Sequence, residues 1–224
     1  MQFLYHPEAG EPWIEVEGDA YRYLFKVRRL SADSPLHLRN LTDNRLYTYR
    51  IETLDRRRAR LRLVAQEPLP IVPERRLHLG WCQIDPKTVE KALPSLNEIG
   101  VARITFLPCA RSQRNFRPDF ERLRRILINS SQQCGRSELM SLEECESLPA
   151  FLDREPEAML LDFSSRTLSC GGDEALTLVL GCEGGFTAAE RKLFAEERIV
   201  GLGTPMILRS ESAACAAAAR FILG

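Results

Sequence analysis

No apolar run in this 224-residue chain approaches the ~18 residues that a membrane-crossing helix requires, so no helical membrane anchor is expected. The N-terminus, MQFLYHPEAGEPW, lacks a basic stretch followed by an apolar core, and no secretory signal is expected from it. The seven cysteines, at 82, 109, 134, 145, 170, 182 and 215, include no CxxC pair. The three histidines lie far in sequence from Cys134, Cys145 and Cys170. The expectation is therefore free thiols in a reducing cytoplasm and no metal. No GxxxxGK[ST] is present, so there is no lysine for a nucleotide β- or γ-phosphate, and no GxGxxG follows the first strand–helix junction. Internal repeats and low-complexity tracts are also absent.

Net charge is zero, but it is unevenly spread. Between Ala20 and Arg62 there are 12 Lys/Arg against 4 Asp/Glu, and between Arg103 and Arg136 there are 8 against 2. From Ser137 to Val200 the balance reverses to 5 against 14. Two basic blocks in a neutral chain fit a polyanionic partner. Their cations are almost all arginine, which suits bidentate phosphate contacts and stacking on bases. Solvated surface charge is the plain alternative for any single arginine.

The first ~70 residues read as short strands rich in Val, Ile, Leu and Tyr: FLYHP, WIEVEG, PLHLRN, LYTYRIETL and ARLRLVA. One helical insertion, DAYRYLFKVRRL, carries apolar Tyr21, Leu24, Phe25 and Val27, with Arg22, Lys26 and Arg29 on another side. A small β-barrel would close such strands. EPLPIVPE, with three prolines in eight residues, reads as a linker. Beyond it the pattern alternates between strand and helix. RLHLGWCQI is a strand; DPKTVEKALPSLNEIG is a helix with Asp85 as N-cap, Pro86 at its first position, Gly100 past its end and a kink expected at Pro94. ARITFLP, RPDFERLRRILINSSQQCG, AMLLDFS, LTLVLG, TAAERKLFAEE, IVGLG and SESAACAAAARFIL continue the alternation. That is the signature of a mainly parallel sheet flanked by helices.

Two glycine loops stand at strand ends, where open parallel sheets bind ligands. In LGCEGGF (180–186), Glu183 sits between Gly181 and Gly184–Gly185, and its carboxylate argues against a phosphate. A ligand with hydroxyls, an amino group or a positive centre fits better, and adenosylmethionine has all three. Thr187 and Glu190 form a T-x-x-E capping box just after it. In VGLGTPMILRSESAA, Gly201 and Gly203 precede an apolar turn, then Arg209, Ser210 as a candidate N-cap, Glu211 and an alanine-rich helix. Strained turns and tight helix packing would account for either loop alone.

GCEGGF followed by TAAE, and then LG-x-x-ILRSESA, resemble the GPEGGF…E and LG-x-x-ILR-x-ETA signatures of the RsmE family. KTVEKALPSLNEIGVARITFLPCARS, INSSQQCGR and YLFKVRRLSADSPLHL resemble that family's weaker upstream segments in the same order. Cys182 stands where the family has proline, Ser210 and Ser212 replace threonines, NEIG replaces TELG, and Phe25 occupies the place of an N-terminal histidine. The resemblance implies an α/β SPOUT-type fold, a mainly parallel sheet with a C-terminal trefoil knot, spanning 74–224. It also implies a PUA-like β-barrel for RNA binding over 1–68. The implied activity is S-adenosyl-L-methionine-dependent methylation of uracil N3 in 16S ribosomal RNA, by a cytoplasmic homodimer acting on the RNA or the assembled small subunit. On this basis Arg209 and Glu211 are the expected catalytic residues. Phe163, Leu180, Gly181, Glu183, Gly184, Gly185, Leu202, Gly203, Ile207, Leu208, Arg209 and Ala213 are expected to hold the cofactor. Arg22, Arg28, Arg29, Arg111, Arg114 and Arg136 are expected to contact RNA. Another SPOUT enzyme acting on a ribose hydroxyl, or a non-catalytic RNA-binding module, are the alternatives.

Overall fold

The structure, a computed structural model, describes residues 2–27, 29–31, 34–113, 116–169 and 174–224. Internal contacts divide the chain into two units, Met1–Val72 with Ser131–Leu139, and Pro73–Ser130 with Met140–Gly224.

The first unit is a five-stranded sheet built from β1 (Leu4–Tyr5), β2 (Trp13–Glu17), β3 (Leu36–Arg39), β4 (Arg45–Leu54) and β5 (Arg58–Pro68), in the order β1-β3-β4-β5-β2. Alternation in β2 and β5 sends Ile14, Val16, Ala59 and Leu61 inward, where they pack with Leu24, Leu36, Leu38, Tyr47 and Tyr49. The turn between β3 and β4 is held by side chains: Asn40 Oδ1 accepts from the Thr42 and Asp43 amides, and Asp43 Oδ1 from the Arg45 amide. The predicted helix DAYRYLFKVRRL is only one α-helical turn, α1 (Gly18–Tyr21), which widens into a π-helical stretch, Arg22–Val27. That stretch buries Leu24, with the Tyr21 and Phe25 rings 4.9 Å apart, while Val27 is exposed. The proline-rich linker is partly anchored. The Ile71 amide donates to Ser137 Oγ, and the Ser137 amide donates back to the Ile71 carbonyl.

The second unit contains six parallel strands in the order β11-β9-β10-β6-β7-β8. They are β6 (Arg76–Cys82), β7 (Arg103–Leu107), β8 (Ser141–Glu144), β9 (Met159–Leu161), β10 (Ala175–Leu180) and β11 (Ile199–Val200). Its helices are α2 (Pro86–Ile99), α3 (Phe120–Cys134, whose residues from Ser131 on belong to the first unit), α4 (Leu148–Arg154), α5 (Ala188–Arg191) and α6 (Ser210–Leu223). Asp85 caps α2 by accepting from the Thr88 amide, and Gly100 ends it at φ 112°. The helix runs through Pro94 without interruption. The segment TAAERKLFAEE is α-helical only over Ala188–Arg191. The Leu193 and Phe194 amides bond three residues back, to Glu190 and Arg191, which turns the chain and buries Phe194. Ala195 is then extended, with ψ 144°.

Cys82 and Cys109 are not free thiols. They form a disulfide, with Cα atoms 5.8 Å apart. Cys82 ends β6 opposite Leu107 of the neighbouring β7, so Cys109 emerges beside it. Closing this loop, with a sequence separation of 27, contributes roughly 3–4 kcal/mol by loop entropy.

A polar row crosses the otherwise apolar sheet. His78 Nε2 lies 2.7 Å from Thr105 Oγ1 and its Nδ1 3.3 Å from Glu155 Oε1. Thr105 donates to Glu143, and Thr177 to Glu155. Burial lowers the His78 pKa, opposed by Glu155 and Glu143 and assisted by Arg103. The folded state thus favours neutral imidazole, and the unfolded chain takes up the proton first as pH falls. Melting temperature is expected to drop from about pH 6.5 downwards. His78→Gln should flatten that slope in pH-dependent calorimetry.

Candidate active site at three adjacent strand ends

Because β9 lies between β10 and β11, the chain leaves three neighbouring carboxyl ends in three loops. The first begins at Asp162–Phe163, the second is Gly181–Phe186, and the third runs from Gly201 to Leu208. The topology thereby gathers the predicted cofactor residues Phe163, Leu180, Gly181, Glu183, Gly184, Gly185, Leu202, Gly203, Ile207 and Leu208. Arg209 is the N-cap of α6, Glu211 lies in its first turn, and Ala213 follows half-buried.

The third loop lies very close to the first. A Cβ on Gly201 would meet the Ser164 carbonyl oxygen at 2.7 Å. The Gly201 amide donates to the Arg166 carbonyl, and the Leu168 amide to the Gly201 carbonyl, both at 2.8 Å. Arg191 fixes the start of the first loop. Its Nη1 lies 2.6 Å from Asp162 Oδ2, and Asp162 Oδ1 accepts from the Phe163 amide.

The second loop is braced from outside. Arg111 Nη1 donates to the Gly184 carbonyl at 2.7 Å, and a Cβ on Gly184 would meet the Arg111 Cβ at 2.9 Å. Glu190 accepts from the Ala110 amide with one oxygen and from the Thr187 amide and hydroxyl with the other. Although burial opposes it, these bonds and Arg111 hold the Glu190 pKa below its usual value.

Ser210 is not the N-cap. It lies inside α6, buried, and its hydroxyl donates to the Gly181 carbonyl at 2.6 Å while accepting from Trp81 Nε1 at 2.8 Å. This relay joins β6, the second loop and α6. Ser210→Ala leaves a buried donor and a carbonyl without this partner, at a cost of about 1–3 kcal/mol. A melting point lower by about 3–10 °C is the expected result, with Ser210→Thr restoring most of it.

Glu183 is exposed, and a Cβ at Gly185, where φ is +63°, would point into open space. Beside these polar groups lie exposed apolar side chains: Phe163 at 71%, Met206 at 68% and Ile207 at 83%. Bare backbone, a free carboxylate and uncovered apolar surface suit a ligand with a flat ring, hydroxyls and an amino group. Among the described residues Arg209 has no ion-pair partner, and none links it to Glu211.

The expected RNA contacts fare differently. Arg22 is exposed beside Asp19 at 3.6 Å, and Arg29 is exposed at φ 52°. Arg111 is turned to the glycine loop. Arg136 is 4% exposed and donates to Glu138 at 3.1 Å, so its guanidinium is not presented to solvent. Arg28 and Arg114 lie outside the described residues. Sequence reasoning missed the bracing pair Arg111 and Glu190, the relay through Ser210, and Arg191. Only the capping box gave a local signal for any of them. Among the described residues no three His, Cys, Asp or Glu side chains are placed to hold a metal, and no helix is long and apolar enough to cross a membrane.

This architecture, an N-terminal barrel-like sheet with a parallel sheet whose ligand loops are glycine-rich, matches two family models. Residues 72–222 match an RNA methyltransferase domain, and residues 16–64 an RNA methyltransferase PUA domain. The chain is 42% identical to the ribosomal RNA small subunit methyltransferase E of Helicobacter pylori strain J99, over 95% of this chain and 96% of the relative. The protein of the same name from strain 26695 is 40% identical over the same shares. The chain belongs to the ribosomal RNA small subunit methyltransferase E family. In fold it is similar to the Neisseria gonorrhoeae member bound to S-adenosyl methionine, with TM-score 0.78 and 22% identity over 98% of this chain and 96% of that one. A Legionella pneumophila methyltransferase in complex with the bound cofactor SAM gives TM-score 0.80 and 24% identity over 97% and 95%.

Proposed function

We propose that this protein transfers a methyl group from S-adenosyl-L-methionine to N3 of a uridine in the 16S ribosomal RNA of the small subunit. The observation that carries the reading is the convergence of three loops at the carboxyl ends of β9, β10 and β11, in a chain of this family. The donor supplies an electrophilic methyl on a sulfonium. Gly185, where a Cβ would meet open space, leaves main chain bare for its close approach; Gly181, Gly184 and Gly203 admit Phe186, Arg111 and Thr167 against the loops that hold it, and Ala213 stands near the start of α6. Leu202, Phe163, Ile207 and Leu208 offer apolar surface for a ring, Leu180, 1% exposed, offers only its main chain, and Glu183 offers acceptors for amino or hydroxyl groups.

The uracil N3 proton must leave, and negative charge then develops on the flanking carbonyl oxygens. Arg209, exposed at the start of the 14-residue α6, stabilises that charge together with the positive end of the helix. Glu211, one residue inside the helix, takes the proton or orients Arg209. Uracil N3 is paired in a duplex, so the target base is presented unpaired or flipped. Arg22 and Arg29 contact RNA phosphates. The exposed Phe163, Met206 and Ile207 are surface for a second copy, consistent with a homodimer that completes the site. A trefoil knot formed by these loops and a cytoplasmic location belong to the same reading.

Calorimetry on the whole protein tests the binding half. One S-adenosylmethionine per chain is expected, and absence of heat at every donor concentration would contradict the reading.

A further inference from the structure

The outward face of β2, β5 and β4 carries features that the methyl-transfer site does not use. Trp13, Arg62 and Arg50 stand directly opposite one another across the three strands, all exposed. Two arginines facing each other in a cross-strand pair repel. Among the described residues neither has an ion-pair partner. The next arginines along β5 are neutralised: Arg58 by Asp55 at 3.3 Å and Arg60 by Glu52 at 3.4 Å. Arg56 and Arg57, exposed in the β4–β5 turn, add two more cations with no ion pair among the described residues. An anion is the missing partner of this row.

Trp13 is 50% exposed, with the Arg60 guanidinium 5.7 Å from its ring centroid. It forms one wall of a cavity of about 680 Å³ along the free edge of β2. That cavity is also lined by His6, Glu8, Glu15 and Glu17. Its carboxylates repel phosphate but accept hydrogen bonds from exocyclic amino groups. Aromatic wall, acceptors inside and unpaired arginines outside match a nucleotide strand whose base points in and whose backbone stays out.

We infer that this face binds single-stranded RNA, seating an unpaired, amino-bearing base on Trp13 and the flanking phosphates on Arg50 and Arg62. The inference rests on reading the chain as an RNA-modifying enzyme and adds to it a contact with RNA through β2, β4 and β5 of the first unit.

The two tryptophans, Trp13 and the fully buried Trp81, make the test direct. The whole protein, without donor, is titrated with oligocytidylate and with oligouridylate of about ten nucleotides while tryptophan emission is followed. Saturable quenching is expected, tighter for oligocytidylate, whose base differs in carrying an amino donor. Trp13→Phe should abolish the quenching, and Trp13→Ala, with binding followed by the anisotropy of a dye-labelled oligonucleotide, should weaken affinity about tenfold. Arg50→Ser with Arg62→Ser should reduce the slope of log K against log salt by ~1.4. Equal affinity for both oligonucleotides, or unchanged affinity and salt slope in these variants, overturns the inference. So does equal quenching by polyglutamate, which would mark a site for acidic protein. Donor affinity is measured on each sample. If the donor binds and the oligonucleotides fail, only this inference falls; if the donor does not bind, the proposed function falls first.

Discussion

Replacing Arg209 by alanine is expected to lower kcat for RNA methylation by about 10²–10³ while leaving donor affinity within a few-fold. The side chain is exposed at the N-cap of α6 and has no carboxylate partner among the described residues, so its removal breaks no ion pair there. On the proposed reading, what is lost is a cation that stabilises charge present only once N3 gives up its proton. Such a loss falls on kcat and not on KM. Single-turnover kinetics on small subunits, beside calorimetry for the donor, separates the two. If kcat is intact and KM for RNA rises, Arg209 is a phosphate contact; if both are intact, it has no part in the reaction.

Gly201→Ala should be more damaging to the site as a whole. The new methyl meets only backbone: the Ser164 carbonyl at 2.7 Å, the Ser164 amide at 3.2 Å and the Asp162 carbonyl at 3.3 Å. Those atoms cannot yield cheaply, because main-chain hydrogen bonds of 2.8–2.9 Å tie Asp162 to Val200 and both Arg166 and Leu168 to Gly201. Overpacking of this kind costs about 1–3 kcal/mol or more. A melting point lower by roughly 5–10 °C is expected. Donor binding should be lost as well, since the first and third loops separate together. Gly185→Ala is the contrast. Open space surrounds that position, and its left-handed φ of 63° costs roughly 1–2 kcal/mol. That variant should stay folded and lose donor affinity, because the methyl enters space assigned to the donor. An unaltered melting curve and unaltered donor binding in Gly201→Ala would contradict the packing of the two loops.

Much of the fold is legible in the sequence because its signals are local. Asp85-Pro86 and Gly100 delimit α2, the Thr187–Glu190 box starts α5, and alternation marks β2 and β5. What escapes is non-local or short. β8, Ser141–Glu144, is an edge strand with two glutamates among four residues, and α4 spans seven residues, too few for a helical period to emerge. The Cys82–Cys109 bond depends on β6 and β7 being neighbours, which no spacing reveals. In the same way, nothing near Arg111 or Arg136 in sequence shows that one braces a carbonyl 73 residues away or that the other is buried with Glu138. The glycine loops stand out because close backbone approach needs glycine. The arginines do not, because a guanidinium serves a carbonyl, a carboxylate or a phosphate equally well.

The most direct test of the account is made on the product. The protein is incubated with methyl-labelled S-adenosylmethionine and small ribosomal subunits from a strain deleted for this activity, and the 16S RNA is digested to nucleosides for mass analysis. The account predicts label in 3-methyluridine at a single position, absent with Arg209→Ala. Label on a ribose hydroxyl or another base, or no label in RNA while the donor binds, would contradict it.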